Sequence, residues 1–393
     1  MKPLHILLLS CRPFTSTDSW YIFYRQMETY LRQKGVDCRL YRICRDRHSD
    51  MPADSYDGFY LPDSHAFRTE KNVAYLTDLI KANEIQVIFN FNHATDFLEI
   101  IKSLHPHLYL FDLIHSRPNL VVQNKKAQLQ DLKFNQITSL KVKLQWLFPD
   151  VYLWLLQKMM RKFLARTYRL FDRTVLLSPS YIPEFQELAG LSSTEKLVAI
   201  PNPLPVVKKE VPVEDKKKEI LFVGRISVEK ALYRLLYIWE KIQDRIPEWQ
   251  LRIVGDGAEK QNCMQLSESL GLKNVHFEGF QDAVPYMQQA AILCLVSNAE
   301  GLPMVFMEAM ALGTVPVGFD SFSAIYDMIE DRKNGLIVPA FDLERYADCL
   351  VELAQDDSLR YELARNARVA VKKFDISRVG ELWLNVFREL KLA

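Results

Sequence analysis

Four apolar runs in the second half of the chain end in glycine turns and alternate with helical or loop stretches, and this rhythm restricts the fold more than any other feature. Ile220-Leu221-Phe222-Val223 runs into Gly224-Arg225, and Leu251-Arg252-Ile253-Val254 into Gly255-Asp256-Gly257. Val275-His276-Phe277-Glu278 runs into Gly279-Phe280, and Ile292-Leu293-Cys294-Leu295-Val296 leads to Glu300-Gly301. Short apolar runs bounded by glycine and separated by helical segments are the pattern of βα units, whose parallel strands are buried on both faces. Open sheets of this kind bind ligands beyond the carboxyl ends of their strands. The residues just past each run are therefore the ones to read for chemistry.

Glu300 and Glu308 bracket a turn followed by a helix. Pro303 suits the first turn of that helix and Gly313 stops it. Backbone N–H groups at that turn, those of Gly301, Leu302 and Met304 around Pro303, can cradle an anion against the positive end of the helix dipole. Two carboxylates cannot be charge partners of that anion, so they are placed to accept from hydroxyl groups. An anion with hydroxyls on both sides is a nucleoside diphosphate sugar. The plainer alternative is a surface Glu before a turn and a second acid near a helix start, where acids are favoured anyway. Arg225 and Lys230 lie at and just beyond another strand end, and a forked guanidinium beside a flexible ammonium suits a diphosphate. Taken singly, each is also an ordinary solvated loop charge.

The order of these pieces is more specific than any one of them. Gly-Arg-x4-Lys at 224–230, Val-Gly-Asp-Gly at 254–257 and Glu-x7-Glu at 300–308 are followed by Gly313-Thr314-Val315-Pro316-Val317 and Asn334-Gly335-Leu336-Ile337-Val338. The segment from about 218 to 375 resembles the donor-binding domain of glycosyltransferase family 4, the retaining GT-B enzymes of bacterial surface-polysaccharide type. The resemblance implies an α/β fold of GT-B type, with two Rossmann-like domains facing across a central cleft. It implies that Arg225 and Lys230 hold the donor diphosphate, that Glu308 accepts from ribose hydroxyls, and that Glu300 contacts the transferred sugar. Gly224, Gly255 and the backbone of Gly301, Leu302, Pro303 and Met304 would line the donor site, with Phe280 near the base. The catalytic set it implies is Glu300, His115, Arg225 and Lys230.

Organisation along the chain is bilobal. Strand-like runs at 4–10, 37–43, 57–61, 85–91, 107–114 and 174–178 belong to a first lobe. We expect an N-terminal acceptor-binding domain over 1–200, a proline-bearing and then lysine-rich linker over 201–218, and a donor-binding domain over 219–375. A helix over 376–393 is expected to cross back to the first domain, with Val379, Leu382, Trp383, Val386, Phe387 and Leu390 as its apolar face. His115 follows the strand Tyr109 to Ile114, where the family places an active-site histidine, and His93 follows Ile88 to Asn92. Either is as readily a satisfied loop or core histidine. Arg117 and Asn119 are further candidates for binding acceptor, beside the simpler reading of solvated loop residues. The loop from Cys11 to Trp20 departs from the family, which carries a glycine pair there; this one has none.

A chain of 393 residues, 49% hydrophobic and 25% charged, has room for two packed domains. A formal charge of +1 argues against nucleic acid as the main partner. Six cysteines without Cys-x-x-Cys spacing read as reduced thiols of a cytoplasmic protein. The apolar run at 4–10 is too short for a signal peptide and reads as a strand. Bulky apolar and aromatic residues alternate with Lys and Arg over 141–169, which suits the interface of an anionic membrane or two core helices with outward-reaching basic side chains. No Asp-x-Asp sits at a strand end, so no metal and no cofactor are expected. The expected activity is retaining transfer of a hexose-type sugar from a nucleoside diphosphate donor, most simply a UDP-sugar, to a glycan or lipid-linked acceptor in surface polysaccharide or lipopolysaccharide assembly. The alternatives are a GT-B sugar-nucleotide epimerase and a non-catalytic nucleotide-sugar-binding partner. A dinucleotide-dependent dehydrogenase fits poorly, because no Gly-x-Gly-x-x-Gly follows the first strand.

Overall fold

A computed structural model of the chain describes residues 3–11, 19–46, 58–91, 94–131, 145, 147–205 and 211–393. They form two compact units. One comprises Met1–Pro118, Lys158–Pro203 and Asp375–Ala393; the other comprises Asn119–Gln157 and Leu204–Phe374. The segment Asn119–Gln157 thus goes with the second unit, whereas the sequence reading assigns all of 1–200 to the first domain.

The first unit is built on strands β1 (Leu4–Ser10), β2 (Cys38–Cys44), β3 (Phe59–Tyr60), β4 (Val87–Asn90), β5 (Tyr109–Ile114), β6 (Arg173–Leu176) and β7 (Leu197–Ala199), in the order β3-β2-β1-β4-β5-β6-β7. Each neighbouring pair is parallel. Every residue of β1 is buried, as expected of a strand covered on both faces. Leu7, Leu9, Ile88 and Leu110 face one cluster, with Leu76 and Ile80 from helix Glu70–Ala82 and Phe97 and Leu98 from helix Thr95–Leu104. Ile6, Leu8, Phe89 and Phe111 face the other, where helix Ile376–Glu389 supplies Trp383 and Phe387. The Trp383 ring lies 5.0 Å from that of Phe89. Removing a buried aromatic of this size costs about 3–5 kcal/mol.

That helix buries Val379, Trp383, Val386 and Phe387 of the expected apolar face but not Leu382. Leu382 is 40% exposed, while Gly380 and Leu384 are buried. The reason is steric: a Cβ on Gly380 would run into the ring of Tyr30, so the helix comes close to its neighbour along the glycine side. Tyr30 also donates its hydroxyl to Glu381 at 3.0 Å.

The second unit has strands β8 (Lys217–Val223), β9 (Gln250–Val254), β10 (Val275–Gly279), β11 (Ala290–Leu295), β12 (Val315–Phe319) and β13 (Leu336–Val338), in the order β10-β9-β8-β11-β12-β13. All of its neighbouring pairs are parallel. The chain builds outward from β8 to β10, then crosses to the other side of β8 to lay down β11. A crevice therefore opens between the carboxyl ends of β8 and β11, the switch point at which doubly wound sheets bind ligands.

One buried acid in the first unit gives the fold a pH signature. Asp112 on β5 lies opposite Asn90 on β4, whose Nδ2 donates to Asp112 Oδ1 at 2.7 Å. Burial pushes the carboxyl from 3.8 up to about 7, only partly opposed by that bond. Between these values the folded chain holds a proton that the unfolded chain has released. This contribution to stability is therefore whole below the window and lost as pH rises through it. Asp112→Asn removes the titration, so its Tm relative to the parent chain should be higher at pH 8 than at pH 5. Equal differences at the two pH values would show that Asp112 does not titrate in this range.

Candidate functional site

The glycine turns at the carboxyl ends of β8, β9 and β10 lock one another. Gly224 N–H donates to Val254 O at 3.0 Å, Gly255 N–H to Gly279 O at 2.7 Å, and Ile226 N–H to Asp256 O at 2.9 Å. Gly255 has φ +147°, and a Cβ there would overlap the carbonyl oxygen of Gly224. No side chain fits, so the backbone turn after β8 lies directly against the turn after β9.

The turn after β8 then delivers its basic residues. Lys230 and Ala231 N–H both donate to Ser227 O at 3.1 Å, and Ala231 enters the next helix in the left-handed region at φ +47°. For a non-glycine residue that conformation costs about 1–2 kcal/mol and persists only when the surroundings impose it. The surroundings here are the loop after β11: Asn298 N–H donates to Glu229 O at 2.9 Å, and Asn298 Nδ2 to Val228 O at 3.0 Å. The two loops on either side of the switch point are thus stitched together.

This stitching brings two of the expected residues into contact. Lys230 Nζ lies 2.6 Å from Glu300 Oε1, with the lysine side chain 26% exposed and the glutamate 9%. The sequence reading assigned one to the diphosphate and the other to the sugar, and did not foresee their ion pair. Arg225 stands exposed on the same turn. Gly301 and Met304 are partly exposed, and Leu302 and Pro303 are buried. Helix Met304–Ala311 begins one residue after Pro303, which occupies the cap position at φ −66° and ψ 108° rather than the first turn. Phe306 N–H donates to Pro303 O at 3.0 Å, and the amides ahead of it mark the positive end of the helix dipole. Glu308 follows one turn on, and burial together with the nearby Asp282 carboxylate holds its carboxyl above the usual range. Phe280, just past β10, is 86% exposed and offers a free aromatic face. The assembly combines two cations, a helix N-terminus and two carboxylates. That set can hold a phosphorylated group and accept from its hydroxyls.

The remaining described candidates lie at the end of β5 and in the residues that follow it. His115, at the end of β5 in the first unit, stacks on Phe91 with ring centroids 5.5 Å apart, and the Tyr24 hydroxyl lies 3.3 Å from its Nε2. Burial pulls the imidazole down from 6.5 to about 3, so it is neutral at physiological pH. Arg117 is engaged in an ion pair with Glu184 at 2.7 Å. Asn119 caps nothing with its side chain but accepts through its backbone oxygen from Gln123 N–H at 3.0 Å. His93, residues 12–18 of the glycine-free loop, and residues 141–144 and 146 of the basic segment lie outside the described residues. The residues missed by sequence reasoning are Glu229 and Asn298. Their only signal was proximity, next to Lys230 and two residues before Glu300. Gly255→Ala should cost more than about 3 kcal/mol. A chemical-denaturation midpoint close to that of the parent chain would mean the turns do not lock one another.

Residues 206–370 match the family model described as Glycosyl transferases group 1. A Campylobacter jejuni GalNAc-alpha-(1->4)-GalNAc-alpha-(1->3)-diNAcBac-PP-undecaprenol alpha-1,4-N-acetyl-D-galactosaminyltransferase is 32% identical over 181 residues, covering 46% of this chain and 50% of that protein. The chain spans about half the length of the curated relatives it matches. A solved lipopolysaccharide outer core galactosyltransferase superimposes with a TM-score of 0.69 over 98% of this chain and 100% of that one, at 18% identity. The Anabaena protein HepE, solved with UDP, superimposes with a TM-score of 0.65 over 98% and 100%, at 15% identity. The fold is that of the GT-B glycosyltransferases, two parallel-sheet α/β domains, and its second domain carries the group 1 sequence pattern.

Proposed function

We propose that the chain is a retaining glycosyltransferase of family 4. In this reading it moves a hexose-type sugar from a nucleoside diphosphate donor, a UDP-sugar, to a hydroxyl of a glycan or lipid-linked acceptor. The observation that carries the reading is the Lys230–Glu300 pair, placed at the switch point beside Arg225 and before the helix that bears Glu308. The bound UDP of the Anabaena neighbour supports the nucleotide, and the undecaprenol-linked substrate in the Campylobacter relative's name supports the acceptor class.

The chemistry follows from those charges. The bond between the anomeric carbon and the diphosphate oxygen breaks, and the electron pair leaves with the diphosphate. Arg225, Lys230 and the helix N-terminus stabilise that developing charge, which makes a metal unnecessary. The anomeric centre passes through an oxocarbenium-like state. The acceptor oxygen bonds to it from the leaving-group face, and its proton goes to the departing phosphate, which gives retention. Glu300 accepts from the transferred sugar and Glu308 from the ribose. His115, held neutral, contributes hydrogen bonding and no charge.

A lipid-linked acceptor places the protein at a membrane, and the helix Pro149–Leu170 has a surface for it. Val151, Trp154, Leu155 and Met159, with Leu147 and Phe148 just before them, are exposed large apolar residues at helical spacing, and Lys158 and Lys162 continue the stripe. Such a stripe binds the interface of an anionic bilayer. No helix among the described residues is long and apolar enough to cross a membrane. The reading is a peripheral protein on the cytoplasmic face, working in surface polysaccharide or lipopolysaccharide assembly.

The first test is thermal stabilisation by UDP, GDP, ADP and their sugars in EDTA. UDP at a hundredfold excess over its Kd should stabilise the chain by about 2.7 kcal/mol. No shift with any nucleotide rejects the donor site, and a UDP shift with only epimerised donor as product selects the epimerase reading. Glu300→Ala should lower transfer by roughly a hundredfold or more while UDP affinity stays near that of the parent chain. Loss of UDP affinity in that variant would instead give Glu300 the task of holding Lys230. Trp154→Glu should reduce co-sedimentation with phosphatidylglycerol vesicles by about tenfold; unchanged binding would remove the stripe from the membrane contact.

A further inference from the structure

A second cavity lies in the second unit beside the paired loops. It has a volume of about 410 Å³ and is lined by Asn124, Tyr152, Leu156, Val228, Glu229 and Asn298, among others. That volume is in the range of small-ligand sites. Val228 and Glu229 directly precede Lys230, and Asn298 lies two residues before Glu300. The cavity therefore shares its wall with the loops that hold the ion pair.

Its polar groups are biased toward one kind of ligand. Asn298 is 3% exposed, and its Nδ2 is spent on Val228 O. Asn124 Nδ2 points at Glu229 Oε1, 3.4 Å away. In both amides the donor side is committed within the protein, and the Oδ1 atom is buried without a hydrogen-bond partner among the described residues. A buried carbonyl oxygen left in this state is costly. The polar side of the lining is thus two amides, the Glu229 carboxylate and the Lys125 ammonium. Its other wall is apolar and aromatic: Leu156 and the ring of Tyr152, over which Lys125 Nζ sits 5.8 Å from the centroid.

Glu229 and Lys125 leave the lining with no strong bias of charge, and a purely apolar chain would leave its polar groups without partners. A ligand with several hydroxyl donors and one apolar ring face meets both demands. We infer that this cavity is the subsite for the acceptor sugar: a pyranose ring laid against Tyr152 and Leu156, with hydroxyls donating to Asn124, Asn298 and Glu229. The inference rests on the Lys230–Glu300 site being the donor site, because it is the shared wall that puts an acceptor hydroxyl near the donor's anomeric carbon.

The test uses the full chain, with UDP as the donor-site probe and a panel of methyl glycosides of glucose, galactose and their N-acetylamino forms as acceptor probes. UDP binding is read by calorimetry, and glycoside binding by saturation-transfer NMR in saturating UDP. At least one glycoside should bind. Tyr152→Ala and Asn124→Ala should each weaken it about tenfold, Tyr152→Trp should retain it, and all three should bind UDP within about twofold of the parent chain, which also shows that they fold. Glycoside binding unaffected by the two alanine variants overturns the inference, as does UDP binding without binding of any glycoside. A parallel loss of UDP affinity assigns the cavity to the donor and overturns it as well. Glycoside binding with no UDP binding leaves the sugar cavity standing and rejects the donor reading instead.

Discussion

The absence of a side chain at Gly255 is the constraint on which the chemistry of the second unit depends. It allows the Gly224 carbonyl to press against the next strand-end turn, and the backbone bonds from Gly224 to Val254 and from Gly255 to Gly279 tie β8, β9 and β10 together at their carboxyl ends. Once the turn after β8 is fixed, the conformation of Ser227 to Ala231 follows, including the left-handed Ala231. Lys230 then has little choice of position. A loop held by backbone contacts presents a charge with far less ordering cost than one held by side chains, which is the usual advantage of preorganised sites.

Charge placement separates ligand chemistry from structural chemistry. The Lys230–Glu300 pair is half-buried at the carboxyl end of the sheet, where desolvation offsets much of the attraction and the pair adds little to stability. Lys216 sits at the opposite, amino end of β8 and is a different case. Its Nζ donates to Met287 O at 2.7 Å and to Thr314 Oγ1 at 2.8 Å, and burial pulls it from 10.5 down to about 7. It is a tether between strand and helix, since every partner is a structural oxygen. In the first unit, Asp112 and His115 are both shifted toward their neutral forms by burial.

Much of the second unit was legible because its information is local. The strand ends fall at Val223, Val254 and Gly279, at the glycine turns that the sequence announces. Arg225, Lys230, Glu300 and Glu308 could be picked out because each lies at a fixed distance from such a turn. The first unit was less legible. Strand β7, at Leu197–Ala199, was not anticipated: three residues between a turn and a proline stretch carry no periodicity. The face of the last helix was misjudged at Leu382 because the packing partner of Gly380 is a tyrosine 350 positions away.

Sequence alone determined the alternation of strands and helices, the parallel character of the sheets and the chemistry gathered at the strand ends, because each depends on residues within a few positions of one another. Only the tertiary structure decided the strand order, and with it the switch point between β8 and β11 that places residue 230 beside residue 300. It also decided that Asn298 stitches those loops together, that Asn124 and Asn298 line a cavity beside them, and that His115 is neutral. These properties belong to neighbours in space, and desolvation and hydrogen-bond partnership have no counterpart in the order of residues along the chain.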